Sequence, residues 1–510
     1  MPIESRWSVP VPEVSLPTWL FGSSPSGPLP DRRSFIDTND PDHRYLTFSD
    51  FRLWAKRVGL GLRTAGLRPG DKVLVFSGNN LFYLPVMISV IIAGGVFTGA
   101  SPSFTSRELK HQLVDSGAAL MLAGNAILDV ALEAAAQAGM SKEHVYAFDS
   151  TPAGLNRAKQ AKVAESEHFS WSEPSDPRTA TSCLNYSSGS TGVPKGVEIT
   201  HRAYVAHSEA FYWHRHRDPK FDETRDPGSV LCFTPLYHAM GQANFVFVHP
   251  KLGMSVYIMA VYKFENMLKH IQHFGITNFM CVPAIPLSMT KSPLTVREIV
   301  CGTAPLAPEV ARATEKLFPS GRVLARQGWG MTELTCTGMV WDPTVAQPDE
   351  SLHSAATREA IVEEGGKLWL RTGGIAYVDK YAPGGKVRLV DRAKELIKAK
   401  GFQVAPAELE AVILERNNVA DAGVVGVVIN EQEVPRAYVV KVGGANITGR
   451  DIAQWVEGRL ARYKWLKGGV VFIDSIPRLQ SGKILRRVLR SRAEQEVGDK
   501  VQKLLAAKLA

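Results

Sequence analysis

Residues 186–196, Tyr-Ser-Ser-Gly-Ser-Thr-Gly-Val-Pro-Lys-Gly, concentrate more chemistry than any other stretch of the 510-residue chain. Ser187, Ser188, Ser190 and Thr191 offer hydroxyls, Lys195 adds a compact cation, and Gly189, Gly192 and Gly196 let the backbone approach a ligand. That inventory suits a polyphosphate, whose oxygens take many donors at short range. The usual signature G-x-x-x-x-G-K-[ST] is absent, because Val193 and Pro194 separate Gly192 from Lys195 and a glycine follows the lysine. The loop therefore predicts a nucleoside triphosphate site of a different build. A mobile Ser/Gly linker would not run through Pro-Lys-Gly straight into the strand-like Val197–Thr200.

Four further segments carry candidate chemistry. Gly302-Thr303-Ala304-Pro305 is a turn directly after a strand, where open α/β sheets place ligands. Gln327-Gly328-Trp329-Gly330-Met331-Thr332-Glu333 sets an aromatic plane between glycines and adds a hydroxyl and a carboxylate. Adenine can stack on Trp329 and Glu333 can hold a hard Mg²⁺ ion bridged to phosphate; alone, the segment reads equally as a turn with a core Trp. Val390–Gly401 mixes charges with a glycine stop and, taken bare, is a solvated helix or hairpin. Pro477–Arg487 is a loop presenting Lys483 before a basic helix, on its own more often surface than site.

The elements that must position these residues follow from the hydrophobic pattern. Lys72–Phe76, Ala119–Ala123, Val230–Thr234, Val256–Ala260, Asn278–Val282 and Glu298–Cys301 are continuously apolar, as buried parallel strands are. Helical segments such as Phe264–Phe274 and Pro308–Leu317 alternate with them, and Thr105 with Glu108 forms a capping box. The fold class is thus α/β, with parallel sheets in a large multi-sheet N-terminal domain. Beyond Gly384-Gly385 a small α+β module of about 120 residues follows, able to fold alone. The boundary is placed near Asp391, giving domains 1–390 and 391–510. Leu81–Ala100 is long enough to span a bilayer, but Pro85 and Gly94-Gly95 make it a buried helix feeding a buried strand, so no stable membrane insertion is expected.

Composition narrows the partners. Hydrophobic content of 45% and charged content of 21% are those of a soluble globular protein. Of the net charge of +9, much lies in residues 461–510, with twelve Lys/Arg against four Asp/Glu. No nucleic-acid motif accompanies that charge, so a phosphorylated small molecule is favoured over nucleic acid. Five widely spaced cysteines without C-x-x-C read as reduced, buried thiols of an intracellular protein. No signal peptide opens the chain, and its end, Ala-Lys-Leu-Ala, misses a peroxisomal tripeptide by one residue, so a cytoplasmic location is expected. Trp213-His214-Arg215-His216-Arg217 lacks acidic or cysteine partners and reads as solvated surface rather than a metal site.

In this order, the five motifs resemble the adenylate-forming superfamily of acyl-CoA synthetases, luciferases and peptide-synthetase adenylation domains. Lys400-Gly401-Phe402-Gln403-Val404-Ala405-Pro406-Ala407-Glu408-Leu409-Glu410 looks most like 4-coumarate:CoA ligases. The likeness runs from about Tyr45 to Arg490. It implies a small, mobile C-terminal domain that rotates between two half-reactions: carboxylate and ATP give acyl-AMP and pyrophosphate, then the thiol of coenzyme A displaces AMP. It also implies roles at matching positions. Ser187, Ser188, Gly189, Ser190, Thr191, Gly192 and Lys195 would cradle the β- and γ-phosphates. Thr332 would contact the α-phosphate and Glu333 the Mg²⁺ ion. Gly302, Thr303, Ala304, Trp329 and Gly330 would flank adenine, and Arg392 the ribose hydroxyls. Lys394 occupies the hinge position, with Lys398, Lys400, Gly401 and Gln403 in the segment used around the two steps. Lys483 would reach the carboxylate and α-phosphate, where charge builds during adenylation. His238, in Pro235-Leu236-Tyr237-His238, would line the acyl pocket; otherwise it is a core or surface histidine.

The sequence also departs from the family. Where the pattern is Thr-Gly-Asp before Ile-Ala/Gly-Tyr, with the aspartate on the ATP ribose, this chain has Thr372-Gly373-Gly374-Ile375-Ala376-Tyr377. Losing two charged hydrogen bonds would weaken ATP use by roughly 10²–10⁴-fold. Leu368–Gly373 fuses two motifs that relatives keep apart, the chain is shortened between about 343 and 374, and Pro293–Val296 is abbreviated. The expected activity is an acid:CoA ligase for an aromatic or medium-chain carboxylic acid in specialised metabolism. The alternatives are an adenylate-forming enzyme that passes the acyl group to an amine or carrier protein, or a non-catalytic ligand-binding relative. The acid and the oligomeric state are not legible in the chain.

Overall fold

The computed structural model describes residues 9–148, 167–187, 195–218, 221, 227–281, 285, 296–302, 308–318, 323–339, 361–364, 367–370, 374–378, 387–392, 395–399, 402–429, 432–478 and 482–509. Two sheets form the larger part. One has six strands in the order Val145–Phe148, Ala118–Gly124, Lys72–Phe76, Val96–Ala100, Thr181–Ser187, Lys195–Thr200. Its neighbours run parallel except the last pair, an antiparallel hairpin. The other has seven, in the order Leu324–Gln327, Glu298–Cys301, Asn278–Cys281, Ser229–Cys232, Ser255–Ile258, Arg33–Asp37, Tyr45–Thr47, all parallel but the last. The apolar runs read from sequence are these strands, give or take one or two residues at the ends. Strands buried on both faces leave no alternation to mislead the reading.

The stretch 81–100 folds as its breaks dictate. Helix Tyr83–Ile92 is buried on every side, and Gly94 (φ +81°) turns the chain into Val96–Ala100. The amphipathic helix Phe48–Thr64 packs against it, started by a capping box in which the Thr47 hydroxyl accepts from the Asp50 amide at 3.0 Å. Thr105 and Glu108 form the box anticipated at Ser106–Ser116. Among the described residues no helix is long and apolar enough to cross a membrane. All five cysteines are free and buried.

Helix His201–His216 is the spine between the sheets. Its N-cap Thr200 accepts from the Ala203 amide at 3.1 Å. His201 Nδ1 accepts from the Leu16 amide at 3.1 Å, and His207 Nε2 accepts from the Thr337 amide at 3.2 Å. Its last turn corrects the expectation of a solvated surface at 213–217. His214 is buried, and Arg215 pairs with Glu298 at 2.9 Å at the foot of the second sheet; His216 and Arg217 alone are exposed. Glu298 is 83 residues away, which is why Arg215 looked partnerless in a local reading.

The smaller part is α+β. A long antiparallel hairpin, Val419–Ile429 with Gln432–Lys441, is joined in parallel by Val470–Phe472. Helices Pro406–Leu414, Gly449–Glu457 and Arg486–Leu509 accompany it. Its core gathers Ile397, Val404, Leu409, Ile413, Val424, Ala437, Val439 and Ile452. Asp391, the anticipated boundary, lies inside strand Val387–Arg392, opposite Ile375.

Burial lowers His201 and His207 from 6.5 to about 4, so both are neutral acceptors at pH 7. Their folded pKa lies below the unfolded value, so the unfolded chain takes up protons first. Stability therefore is full above pH 6.5 and falls as pH drops toward 4. At pH 5 each should cost about 2 kcal/mol. Urea denaturation at pH 7, 6 and 5 should show a steady decline; a flat profile would contradict this assignment.

Candidate active site

The phosphate-loop motif closes the hairpin of the six-stranded sheet. Ser187 faces Lys195 and Tyr186 faces Gly196 across its last rungs, so both stems of the loop are fixed in register. The Tyr186 ring lies across Gly196, where an added Cβ would stand 3.3 Å from Cζ. Its hydroxyl donates to Asp115 at 2.5 Å, tying the stem to helix Ser106–Ser116. Burial, and then Asp115, push that phenol far up. Lys195 is exposed at the mouth. Ser188, Gly189, Ser190, Thr191 and Gly192 lie outside the described residues, as do Thr303, Ala304, Lys400 and Gly401.

The turn Thr332–Leu334 packs against both strands of that hairpin, bringing Thr332 and Glu333 to the loop's stems. Before it, Trp329–Gly330 pairs with Thr337–Met339. Gly330 is required, because a Cβ there would stand 1.7 Å from the Cys336 carbonyl oxygen. Thr335 follows at φ +72°, the only non-glycine among the described residues with positive φ. Such a backbone costs of order 1–3 kcal/mol and persists only where its surroundings over-determine it. Here the Thr337 amide is held by His207.

Gly302 ends strand Glu298–Cys301 at the carboxyl edge of the seven-stranded sheet, its amide donating to the Cys281 carbonyl at 3.1 Å. The space above it is open: a Cβ would meet nothing nearer than Met240 Sδ at 3.8 Å. Met240 belongs to the segment that holds His238. Asn79 grips that segment from the other sheet, donating to the Thr234 carbonyl at 3.0 Å and accepting from the Leu236 amide at 2.9 Å. Gln242 Nε2 donates to the Tyr237 carbonyl at 3.0 Å, and Gln242 Oε1 accepts from the Tyr204 hydroxyl at 2.6 Å. Asn185 Nδ2 donates to that same hydroxyl at 3.0 Å. Asn185 immediately precedes the Tyr186–Gly196 motif, so one chain of hydrogen bonds joins that strand to the Pro235–His238 segment. The segment then enters a buried π-helix, Gln242–Val248, a form found most often at functional sites.

His238 caps the turn after it, Nδ1 accepting from the Met240 amide at 3.4 Å. Burial lowers its pKa to about 4, and the nearby Lys483 ammonium pushes the same way. The imidazole is thus neutral at pH 7, with its proton assigned to Nε2 by that hydrogen bond. Lys483, from the smaller part of the chain, is within electrostatic range of this histidine. In the strands between, Gly374 is the register partner of Arg392, and Lys398 of Gln403. Each pair therefore shares one rung of a hairpin.

No group of three or more His, Cys, Asp or Glu could cage a metal among the described residues. A single carboxylate, Glu333, beside the phosphate-loop stems does fit Mg²⁺, which takes one or two protein carboxylates and completes its shell with phosphate oxygens and water. Asn79, Asp115, Tyr204, His207 and Gln242 escaped the sequence reading. Each works through a partner far along the chain; the sequence signal was only a polar residue inside an apolar run.

This arrangement is that of a known family. The chain matches the AMP-binding enzyme family over residues 27–367 and the AMP-binding enzyme C-terminal domain over residues 408–483. It belongs to that family of adenylate-forming enzymes. A 4-coumarate–CoA ligase of Petroselinum crispum is 31% identical, covering 88% of this chain and 89% of its own. A phenylacetyl-CoA ligase of Aspergillus niger is 29% identical over 97% of this chain and 99% of its own. The fold is that of ATP-bound MatB from Rhodopseudomonas palustris, with a TM-score of 0.78 at 21% identity, covering 94% and 98% of the two chains.

Removing the hydroxyl in Tyr204→Phe would leave Asn185 and Gln242 each short of a buried partner. The variant should lose about 1–3 kcal/mol of stability by urea denaturation. A loss under about 0.5 kcal/mol would contradict the hydrogen-bond chain.

Proposed function

We propose that this chain is an ATP-dependent, AMP-forming acid:CoA ligase acting on an aromatic or medium-chain carboxylic acid. Family membership supports it, as do relatives named as phenylacetyl-CoA and 4-coumarate–CoA ligases. The observation that carries it is the Thr332–Leu334 turn packed against both strands of the hairpin that Tyr186–Gly196 closes, with Lys483 in electrostatic range of the neutral His238. In the first step a carboxylate oxygen of the acid attacks the α-phosphorus of ATP. The bond to the β-phosphate bridge breaks and pyrophosphate leaves. Lys195 and the hydroxyls of Ser187–Thr191 hold the leaving phosphates, and Thr332 contacts the α-phosphate. Glu333 holds Mg²⁺, which offsets phosphate charge. Lys483 bridges the attacking carboxylate and the α-phosphate, where negative charge accumulates. A neutral His238 adds no second cation to compete with Lys483 and keeps one N–H to offer. In the second step the thiol of coenzyme A attacks the acyl carbonyl and AMP leaves, with Lys398 and Gln403 on the presented hairpin.

Gly374 favours a second outcome, a weakly turning enzyme or a binding protein. With no side chain opposite Arg392, the ribose is held from one side of the rung.

Purified protein with ATP, Mg²⁺, coenzyme A and a panel of carboxylic acids should yield an acyl-CoA, AMP and pyrophosphate by mass spectrometry. Lys483→Ala should slow acyl-AMP formation by roughly 10²–10³-fold, the range for removing one charge-stabilising donor. Acyl-AMP without any thioester would point to an amine or carrier-protein acceptor. Neither product from any acid would refute the proposal.

A further inference from the structure

A lysine that must stabilise charge for one half-reaction and then withdraw needs a rigid mount. Lys483 lies between Arg478 and Arg486; Arg478 is fastened to strand Val419–Ile429 directly, and Arg486 to it through Glu410. Arg478 makes a fork with Asp421, Nη2 to Oδ1 at 2.7 Å and Nε to Oδ2 at 3.2 Å. Its remaining Nη1 donates to the carbonyl of Gly482, the residue before Lys483, at 2.7 Å. Gly482 sits at φ +77°, a turn that aims the next residue back across the loop's base. That base is a short antiparallel bridge between Arg478 and Ile484, with the Leu485 amide donating to the Pro477 carbonyl at 2.8 Å.

Arg486 secures the far end. Its Nη2 donates to Glu410 Oε2 at 2.8 Å, and Glu410 Oε1 accepts from the Val424 amide at 2.8 Å. Its Nε lies 3.4 Å from Glu395, just beyond the hinge position at Lys394. Flanking the two anchors, Ile476 and Leu489 are buried against the strand, so close that a Cβ on Gly423 would stand 2.9 Å from Leu489.

We propose that Arg478 is a positioning residue for the adenylation step. Its guanidinium uses two donors on Asp421 and one on the Gly482 carbonyl, and so fixes the backbone that aims Lys483. Three donors in one plane are a task for arginine, since a lysine ammonium cannot span the fork and the carbonyl together. The pair is partly exposed, with about a quarter of each side chain accessible, so its contribution to global stability is small. Its effect is on geometry. An error of about 1 Å at a reacting group can cost 10²-fold in rate.

The role in catalysis rests on the ligase reading above; the mount itself does not. Two measurements on full-length Arg478→Met, Arg478→Lys and Asp421→Asn separate them. By hydrogen exchange with mass spectrometry, amides 482–486 should exchange about tenfold faster in Arg478→Met, while Val419–Ile429 keeps its protection. In half-reaction assays, acyl-AMP formation should fall about 10- to 100-fold in kcat, with KM for ATP within about twofold. Thioester formation from supplied acyl-AMP and coenzyme A should stay within about twofold. Arg478→Lys should lie between wild type and Arg478→Met. Unchanged exchange at 482–486 would overturn the proposal. So would a parallel fall of both half-reactions with exchange rising through the whole smaller domain, which marks a merely structural arginine. A wild-type protein that forms no acyl-AMP would defeat the ligase reading, while the exchange arm still decides the mount.

Discussion

One line of hydrogen bonds, Asn185 to Tyr204 to Gln242 to the Tyr237 carbonyl, ties the strand entering the 186–196 loop to the segment that holds His238. Asn185 belongs to the strand that runs into the phosphate loop; Tyr237 precedes the histidine of the acyl segment. Asn185, Tyr204 and Gln242 are buried, so each must keep its partner or forfeit the cost of desolvation. A helix that supplies Tyr204 to this line also supplies His207 to the Trp329 hairpin three residues on. The strand entering the 186–196 loop, the segment that holds His238 and the Trp329 hairpin are thus indexed to one helix. The Asn79 grip on the acyl segment adds a second tie from the other sheet.

In the proposed ligase, the smaller domain brings the Lys483 cation to this frame. His238, kept neutral by burial, accepts the approach of Lys483 without a repelling charge. Stiffness at both ends of the encounter matters. On the large domain it comes from neutral hydrogen bonds, and on the small one from the Arg478–Asp421 fork and the Arg486–Glu410 pair.

Much of the fold was legible because parallel strands buried on both faces announce themselves as continuous apolar runs. The chemistry-bearing loop was legible too, since its residues are contiguous. What stayed hidden is what the chain assembles across distance. Tyr204 lies 19 residues from Asn185 and 38 from Gln242, and nothing local marks it as their link. The same applies to Arg215, read as solvated and found paired with Glu298. Arg478 lies 57 residues from Asp421, so the mount of Lys483 looked like ordinary surface. The reverse holds at Gly374. There the sequence alone showed a missing carboxylate, and the strand register added that the gap faces Arg392.

In the proposed ligase the phosphate end of the site keeps its residues in the sequence, while Gly374 leaves the sugar end to be held from the Arg392 side. This contrast is the central claim, and ATP affinity measures it most directly. Calorimetric titration of wild type and Gly374→Asp with ATP and Mg²⁺ should give measurable binding for both. The aspartate should tighten it by at least about tenfold, as even one of the two charged hydrogen bonds restored allows. No binding by wild type, or equal affinities for the two proteins, would contradict the account.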